Sequence, residues 1–147
     1  MYLLKTKVAF EAAHRLYDVD TYSEECRNNI HGHSYKVTVI IGREQLNSAG
    51  MVIDFKLLKK ILRGIFDDKY DHSCILKSSD PLCGPITDKC DKVIVVEANP
   101  TAEWMSHEFF LEIEHALKEI DEKIIVHSVE VQETENNQAI YTHRVHP

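Results

Sequence analysis

At 147 residues, with 44% hydrophobic content and a formal net charge of −7, the chain is sized and composed for a single folded domain over 1–147. The negative balance argues against direct nucleic-acid contact or a membrane surface, and no apolar run approaches the length of a membrane span. Residues Met1 to Lys7 lack a secretory apolar region, so a cytoplasmic protein without a disulfide framework is expected.

The first element is a strand from Leu3 to His14. Thr6, Val8, Phe10, Ala12 and His14 share one face of it, the alternation of a half-buried strand. A long loop rich in Asp, Glu and Asn follows and carries Cys26; loops of that kind are usually functional or disordered. A second strand starts at His33, with Tyr35, Val37, Val39 and Ile41 on its face. Asn47 to Gly50 signals a turn, and Asp54 is placed to cap a helix striped with Leu57, Leu58, Ile61, Leu62, Ile65 and Phe66.

That helix runs out near Asp71-His72. Residues 73–92 read as an insertion loop containing Cys74, Cys83 and Cys90, and Val93 to Glu97 as a short extended run. Thr101 caps a second helix, with Met105, Phe109, Ile113, Ala116, Leu117 and Ile120 as its core stripe. Ile125, His127, Val129, Val131 and Glu133 share a face of a third strand, and Ala139 to His143 forms a fourth. The order is ββααββ: an α+β chain with a four-stranded antiparallel sheet, two helices on one face, and open edges that invite oligomerisation.

Three histidines stand out. His31 and His33 are two apart on a strand and turn to the same face, with Gly32 adding no obstruction. Antiparallel pairing of the first two strands brings His14 to the same end. Three neutral imidazoles without a fourth protein ligand suit a catalytic zinc site with an open position; separate hydrogen bonds in the core are the alternative. Cys26 is near enough in sequence to sit beside the metal, or to close the site as a structural fourth ligand.

Asp71 can orient His72 for proton transfer, or His72 can cap a helix end. Glu133, ending an apolar strand face, can hold a guanidine-like edge through two parallel hydrogen bonds, or project into water. His107 and His115 read as helix-surface residues, and His143 and His146 as exposed near the terminus. Cys83 and Cys90 read as free thiols, with a second metal or a redox pair as the rarer options.

Taken together, Phe10 to Leu16, Cys26 followed by His31-Gly32-His33, and Gly50 to Phe55 resemble the 6-pyruvoyltetrahydropterin synthase / 6-carboxytetrahydropterin synthase family. Tyr70-Asp71-His72, Asn99 to Glu103 and Val129 to Thr134 extend the resemblance to nearly everything outside 73–92. It implies the tunnelling fold, in which three subunits close a barrel and two trimers stack as a hexamer with active sites between subunits. It also implies Zn2+ on His14, His31 and His33, a catalytic thiol at Cys26, and relay partners Asp71 and His72 from the neighbouring subunit. Glu133 would anchor the pterin, with Thr101 and Glu103 making further contacts.

The implied substrate is 7,8-dihydroneopterin triphosphate, a small molecule. Glu11 to Arg15 and the Lys92-to-Thr101 lead-in resemble the carboxy branch, which releases acetaldehyde and triphosphate and yields 6-carboxy-5,6,7,8-tetrahydropterin for queuosine biosynthesis. The Cys26-to-His31 spacing is intermediate between the branches, and Asn28-Asn29 resembles the pyruvoyl pattern, in which triphosphate leaves without side-chain cleavage. A non-catalytic pterin- or zinc-binding module is the remaining alternative; the presence of Cys26, Asp71, His72 and Glu133 together argues against it, since a mere binder needs no thiol-histidine relay.

Overall fold

The computed structural model describes residues 1–21 and 23–142. The alternating segments form long strands, β1 (Tyr2–His14) and β2 (His31–Arg43), paired antiparallel from Tyr2 opposite Arg43 to His14 opposite His31. On their inner faces Phe10, Ala12, Tyr35, Val37, Val39 and Ile41 are buried, while Lys5, Lys7 and Lys36 point outward into solvent. The two faces follow from the period-two pattern.

The other elements are α1 (Glu24–Asn28), α2 (Phe55–Ile65), a π-helical turn (Phe66–Tyr70), β3 (Ser73–Lys77), α3 (Cys83–Thr87), β4 (Val93–Val96), α4 (Ala102–Lys118), β5 (Ile125–Gln132) and β6 (Gln138–Thr142). They build one sheet in the order β4-β3-β1-β2-β5-β6. β3 runs parallel to both β1 and β4, and the remaining pairs are antiparallel.

The sheet is therefore mixed and six-stranded, not a four-stranded antiparallel one, and residues 73–92 are not simply a loop. β3 shows no alternation because Ile75 and Leu76 are both buried, on opposite faces. Without period two, and beside Ser, Asp, Pro and Gly, its short apolar run carries little sequence signal.

Two further readings change. The third strand has a bulge where the register steps from Ile40–Ser128 to Ile41–Val126. A bulge inserts one unpaired residue and reverses the parity of what precedes it. Val126 is thereby buried, and Ile125 and His127 face outward. Ile120 lies beyond the end of α4 and is 51% exposed, so it is not core. The fourth strand matches β6 as far as Thr142; His143 and His146 lie outside the described residues.

Both long helices cover the inner face. Phe10 is the hub: its ring stacks on Tyr35 (5.0 Å) and Phe66 (5.6 Å) and meets Phe109 edge-on (5.8 Å). Offset and edge contacts of this kind add to the area term. β1 and β2 are thus fixed rigidly at the end where the histidines emerge. His107 packs its ring on Tyr141 (4.7 Å) and is only partly a surface residue, while His115 is exposed.

Asp54 caps α2 as its position suggests, its carboxylate accepting from the backbone N–H groups of Lys56 (2.7 Å) and Leu57 (3.1 Å). Asp54→Ala leaves those donors to water and is expected to cost about 1 kcal/mol, read as a lower urea midpoint with unchanged slope.

Candidate active site

The antiparallel register brings His14 opposite His31, and Ala12 opposite His33. The three imidazoles each present a nitrogen within 4.8 Å of the others, the one such cluster of three His, Cys, Asp or Glu donors among the described residues. Gly32 points to the other face, so the convergence owes to strand parity and not to its missing side chain.

Backbone carbonyls set the ring orientations. His14 Nδ1 donates to the Pro100 carbonyl (2.7 Å), and His31 Nδ1 donates to the Asn29 carbonyl (3.0 Å). A carbonyl only accepts, so the network assigns the hydrogen to Nδ1 on both rings and leaves the Nε2 lone pairs facing inward. Those two Nε2 atoms lie 3.0 Å apart, and lone pairs so placed repel unless a cation or proton lies between them. His33 Nε2 is buried and makes no hydrogen bond; Glu133 Oε1 is 3.4 Å away but poorly aligned. Burial holds the His33 imidazole below its ordinary value, with His14 and His31 adding to the effect and Glu133 opposing it. A neutral, orphaned nitrogen beside two inward lone pairs is a donor set that fits a metal ion.

Glu133 Oε1 also lies 3.3 Å from His14 Nε2. The His14 imidazole, and after it those of His33 and His31, hold its carboxyl below the usual carboxylate range, and burial works against this. Glu133 thus faces the cluster as an anion. It also lines a hollow of about 230 Å3 with Ser34, Lys36 and Thr134; Lys36 is a cation beside the site that the sequence alone does not single out.

Residues 99–101 read as a helix start, but they do more. Asn99 Oδ1 accepts from the Tyr17 N–H (2.7 Å) and Asn99 Nδ2 donates to the Tyr17 carbonyl (2.9 Å). This pair of hydrogen bonds ties the chain after His14 to the start of α4 and presents Pro100 to the histidine. Thr101 caps α4 by accepting from the Trp104 N–H (3.2 Å), and Glu103 is exposed in the first turn. Arg15, next to His14, forms a two-point ion pair with the buried Asp80 (2.8 and 2.9 Å). A carbonyl has no side-chain signature, and the partner of Arg15 is far away in sequence, so neither support could be read from the chain.

Asp71 and His72 form the expected pair, with His72 Nδ1 donating to Asp71 Oδ2 (2.7 Å). Asp71 Oδ1 accepts from the Glu11 N–H (2.8 Å), and the His72 N–H donates to the Glu11 carbonyl (2.6 Å), so the dyad is clamped to β1. His72 has φ of 58°, a left-handed conformation unusual for a side-chain-bearing residue, and its ring is 80% exposed. With His33 and Ser34 it lines a shallow depression of about 380 Å3.

Chiefly the Glu11 N–H, then His72 and Lys92, hold the Asp71 carboxyl below its ordinary value. The folded chain therefore binds that proton less tightly than the unfolded one. The resulting stabilisation is present above about pH 4, the unfolded value, and is lost as the pH falls through the lower folded value. The gap in urea midpoint between the chain and Asp71→Asn is expected to close on acidification; a constant gap would refute the assignment.

Cys26 sits half-buried on α1. The end of that helix leads directly to His31: the Asn29 N–H donates to the Glu25 carbonyl (3.0 Å), and the Asn29 carbonyl accepts from the His31 ring. The thiol makes no hydrogen bond to His72 and is not in the imidazole cluster, among the described residues. A closed site with Cys26 as fourth ligand is thus not the geometry found.

The model of the family described as 6-pyruvoyl tetrahydropterin synthase matches residues 3–144. A Rickettsia conorii protein named 6-carboxy-5,6,7,8-tetrahydropterin synthase is 31% identical over 132 residues, covering 88% of this chain and 92% of its own. An Aquifex aeolicus protein of the same name is 32% identical over 126 residues, covering 75% and 77%. Among solved structures, an uncharacterized protein from Wolinella succinogenes aligns with TM-score 0.82 at 23% identity, over 97% of this chain and 98% of that one. The 6-pyruvoyl tetrahydropterin synthase of Caenorhabditis elegans aligns with TM-score 0.69 at 21% identity, over 97% and 96%. With a family model spanning nearly its whole length, the chain belongs to the 6-pyruvoyl tetrahydropterin synthase family.

Proposed function

We propose that the protein is a 6-carboxy-5,6,7,8-tetrahydropterin synthase, a zinc-dependent carbon-carbon lyase. It would convert 7,8-dihydroneopterin triphosphate to 6-carboxytetrahydropterin with release of acetaldehyde and triphosphate, in queuosine biosynthesis. The observation that carries the reading is the cluster of His14, His31 and His33, two rings locked by carbonyls and the third left with an orphaned nitrogen. The relatives named for this activity, at about one-third identity, supply the branch.

In this reading His14, His31 and His33 hold zinc. Bound zinc supplies Lewis acidity toward the hydroxyls of the substrate side chain. Cys26 moves protons at the side-chain carbons, and His72, held by Asp71 through Nδ1, presents Nε2 as its relay. Glu133 takes the two-donor edge of the pterin through both oxygens, with Thr101 and Glu103 at the start of α4 making further contacts. Lys36 offers positive charge beside Glu133.

In this reading Asp71-His72 serves the thiol of a neighbouring subunit, which is supported by there being no hydrogen bond between this pair and Cys26 among the described residues. The open sheet edges β4 and β6 suit the assembly of a hexamer from two trimers. No helix among the described residues is long and apolar enough to cross a membrane; a single cytoplasmic domain is proposed.

The test is product analysis of zinc-loaded protein with 7,8-dihydroneopterin triphosphate. Acetaldehyde together with 6-carboxytetrahydropterin is the expected outcome. Triphosphate release with a pyruvoyl product and no acetaldehyde would move the chain to the other branch, and binding without turnover would make it a pterin-binding module.

A further inference from the structure

Three of the four cysteines have no role in the reaction above, and the fold gathers them. The segment after β3 turns back over the outer face of the sheet, away from α2 and α4. Leu76 reports this: it is fully buried yet lies outside the core beneath those helices. Cys74, two residues earlier, projects from the same face of β3. Cys83 opens α3, its N–H donating to the Asp80 carbonyl (2.9 Å). Cys90 closes that turn, its N–H donating to the Ile86 carbonyl (2.9 Å), and two residues later the Lys92 carbonyl accepts from the Cys74 N–H (3.1 Å). The chain thus leaves Cys74, passes through Cys83 and Cys90, and returns to the backbone of Cys74.

The environments of the thiols differ. Cys90 is exposed and Cys74 is partly buried. Burial pushes the Cys74 thiol up, and the neighbouring Cys90, Asp80 and Cys83 push it further. Cys74 is therefore the sheltered thiol of the group, while Cys90 meets solvent. The three sulfurs do not converge as the three imidazoles do, which disfavours a metal as their ligand and leaves thiol chemistry.

We propose that Cys90 and Cys74 are a peroxide-responsive pair that closes to a disulfide across the base of this loop. The Cys90 sulfur attacks the O–O bond of a hydroperoxide; that bond breaks, Cys90 becomes a sulfenic acid, and water or an alcohol leaves. The Cys74 sulfur then displaces the sulfenic oxygen, the S–S bond forms, and water carries off that oxygen with the Cys74 proton. The peroxide is reduced and two thiols are oxidised. An exposed sensor beside a sheltered resolving thiol is the arrangement such chemistry uses. The loop so closed carries Asp80, whose carboxylate holds Arg15 beside His14, so the pair lies one ion pair away from the imidazole cluster.

The experiment treats the zinc-loaded full chain with hydrogen peroxide, alkylates the remaining thiols under denaturing conditions, and maps the peptides by mass spectrometry. Cys74 and Cys90 are expected to lose alkylation together, joined within one chain, and to regain it after dithiothreitol. Cys90→Ser, at an exposed position that the fold does not depend on, is expected to leave Cys74 fully alkylatable. Linkage of Cys90 to Cys83 or to another chain, or Cys74 that remains alkylatable in the parent protein, would overturn the proposal. Cys74→Ser is the poorer variant, because it alters a packed strand.

Discussion

His31→Ala is expected to lower zinc affinity by more than about 100-fold and to abolish turnover, with little change in thermal stability. Loss of an outer-shell partner alone typically costs about 10- to 100-fold in metal affinity, and removal of a ligand exceeds that. His31 is the cleanest of the three to test. His14 is buried and bonded to Pro100, so its loss would also disturb the junction between β1 and α4. His31 lies at the partly exposed start of β2, and its Nδ1 donates to the Asn29 carbonyl, a group that water can reach once the ring is gone. Zinc titration against a chromophoric chelator, with a thermal melt of the metal-free protein, separates binding from folding. Unchanged zinc affinity with an intact fold would sink the metal-site reading.

The imidazole cluster was readable because strands turn sequence spacing into geometry. His31 and His33 are two apart, His14 ends a strand whose alternation is plain, and the register follows once the strands pair. The same logic fails where alternation is absent or broken. β3, buried on both faces, looked like part of a loop, and its parallel pairing to β1 widened the sheet beyond the expected four strands. The bulge in β5 turned Ile125 and His127 outward, because one unpaired residue is invisible in a hydrophobicity pattern but reverses every face before it. Glu133, beyond the bulge, kept its inward direction and met the histidines. The supports of the site, such as the Pro100 carbonyl and the Asn99 bonds to Tyr17, depend on backbone atoms and distant residues, which sequence spacing does not encode.

Cys26→Ala is expected to reduce kcat by about 10²- to 10⁴-fold, the range for loss of a positioned proton-transfer group, while zinc affinity and KM stay within a few-fold. The split follows from placement. Cys26 is held on α1 and is not among the converging donors, so the metal loses no ligand when the thiol goes. Cys26→Ser keeps the size but not the acidity, and is expected to recover little. A fall in zinc affinity matching the fall in kcat would instead make the thiol a ligand, contradicting the cluster geometry. A mixing experiment sharpens the result. Asp71 and His72 are clamped to the far edge of β1 and make no hydrogen bond with Cys26 in the same chain. If the relay joins two subunits, Cys26→Ala and His72→Ala proteins, each inactive alone, regain part of the parent activity when unfolded and refolded together. Complementation requires a site built from one intact thiol and one intact histidine on different chains. Failure to complement, with mixed oligomers demonstrated by mass spectrometry, would place both groups in one subunit and require α1 to move toward His72.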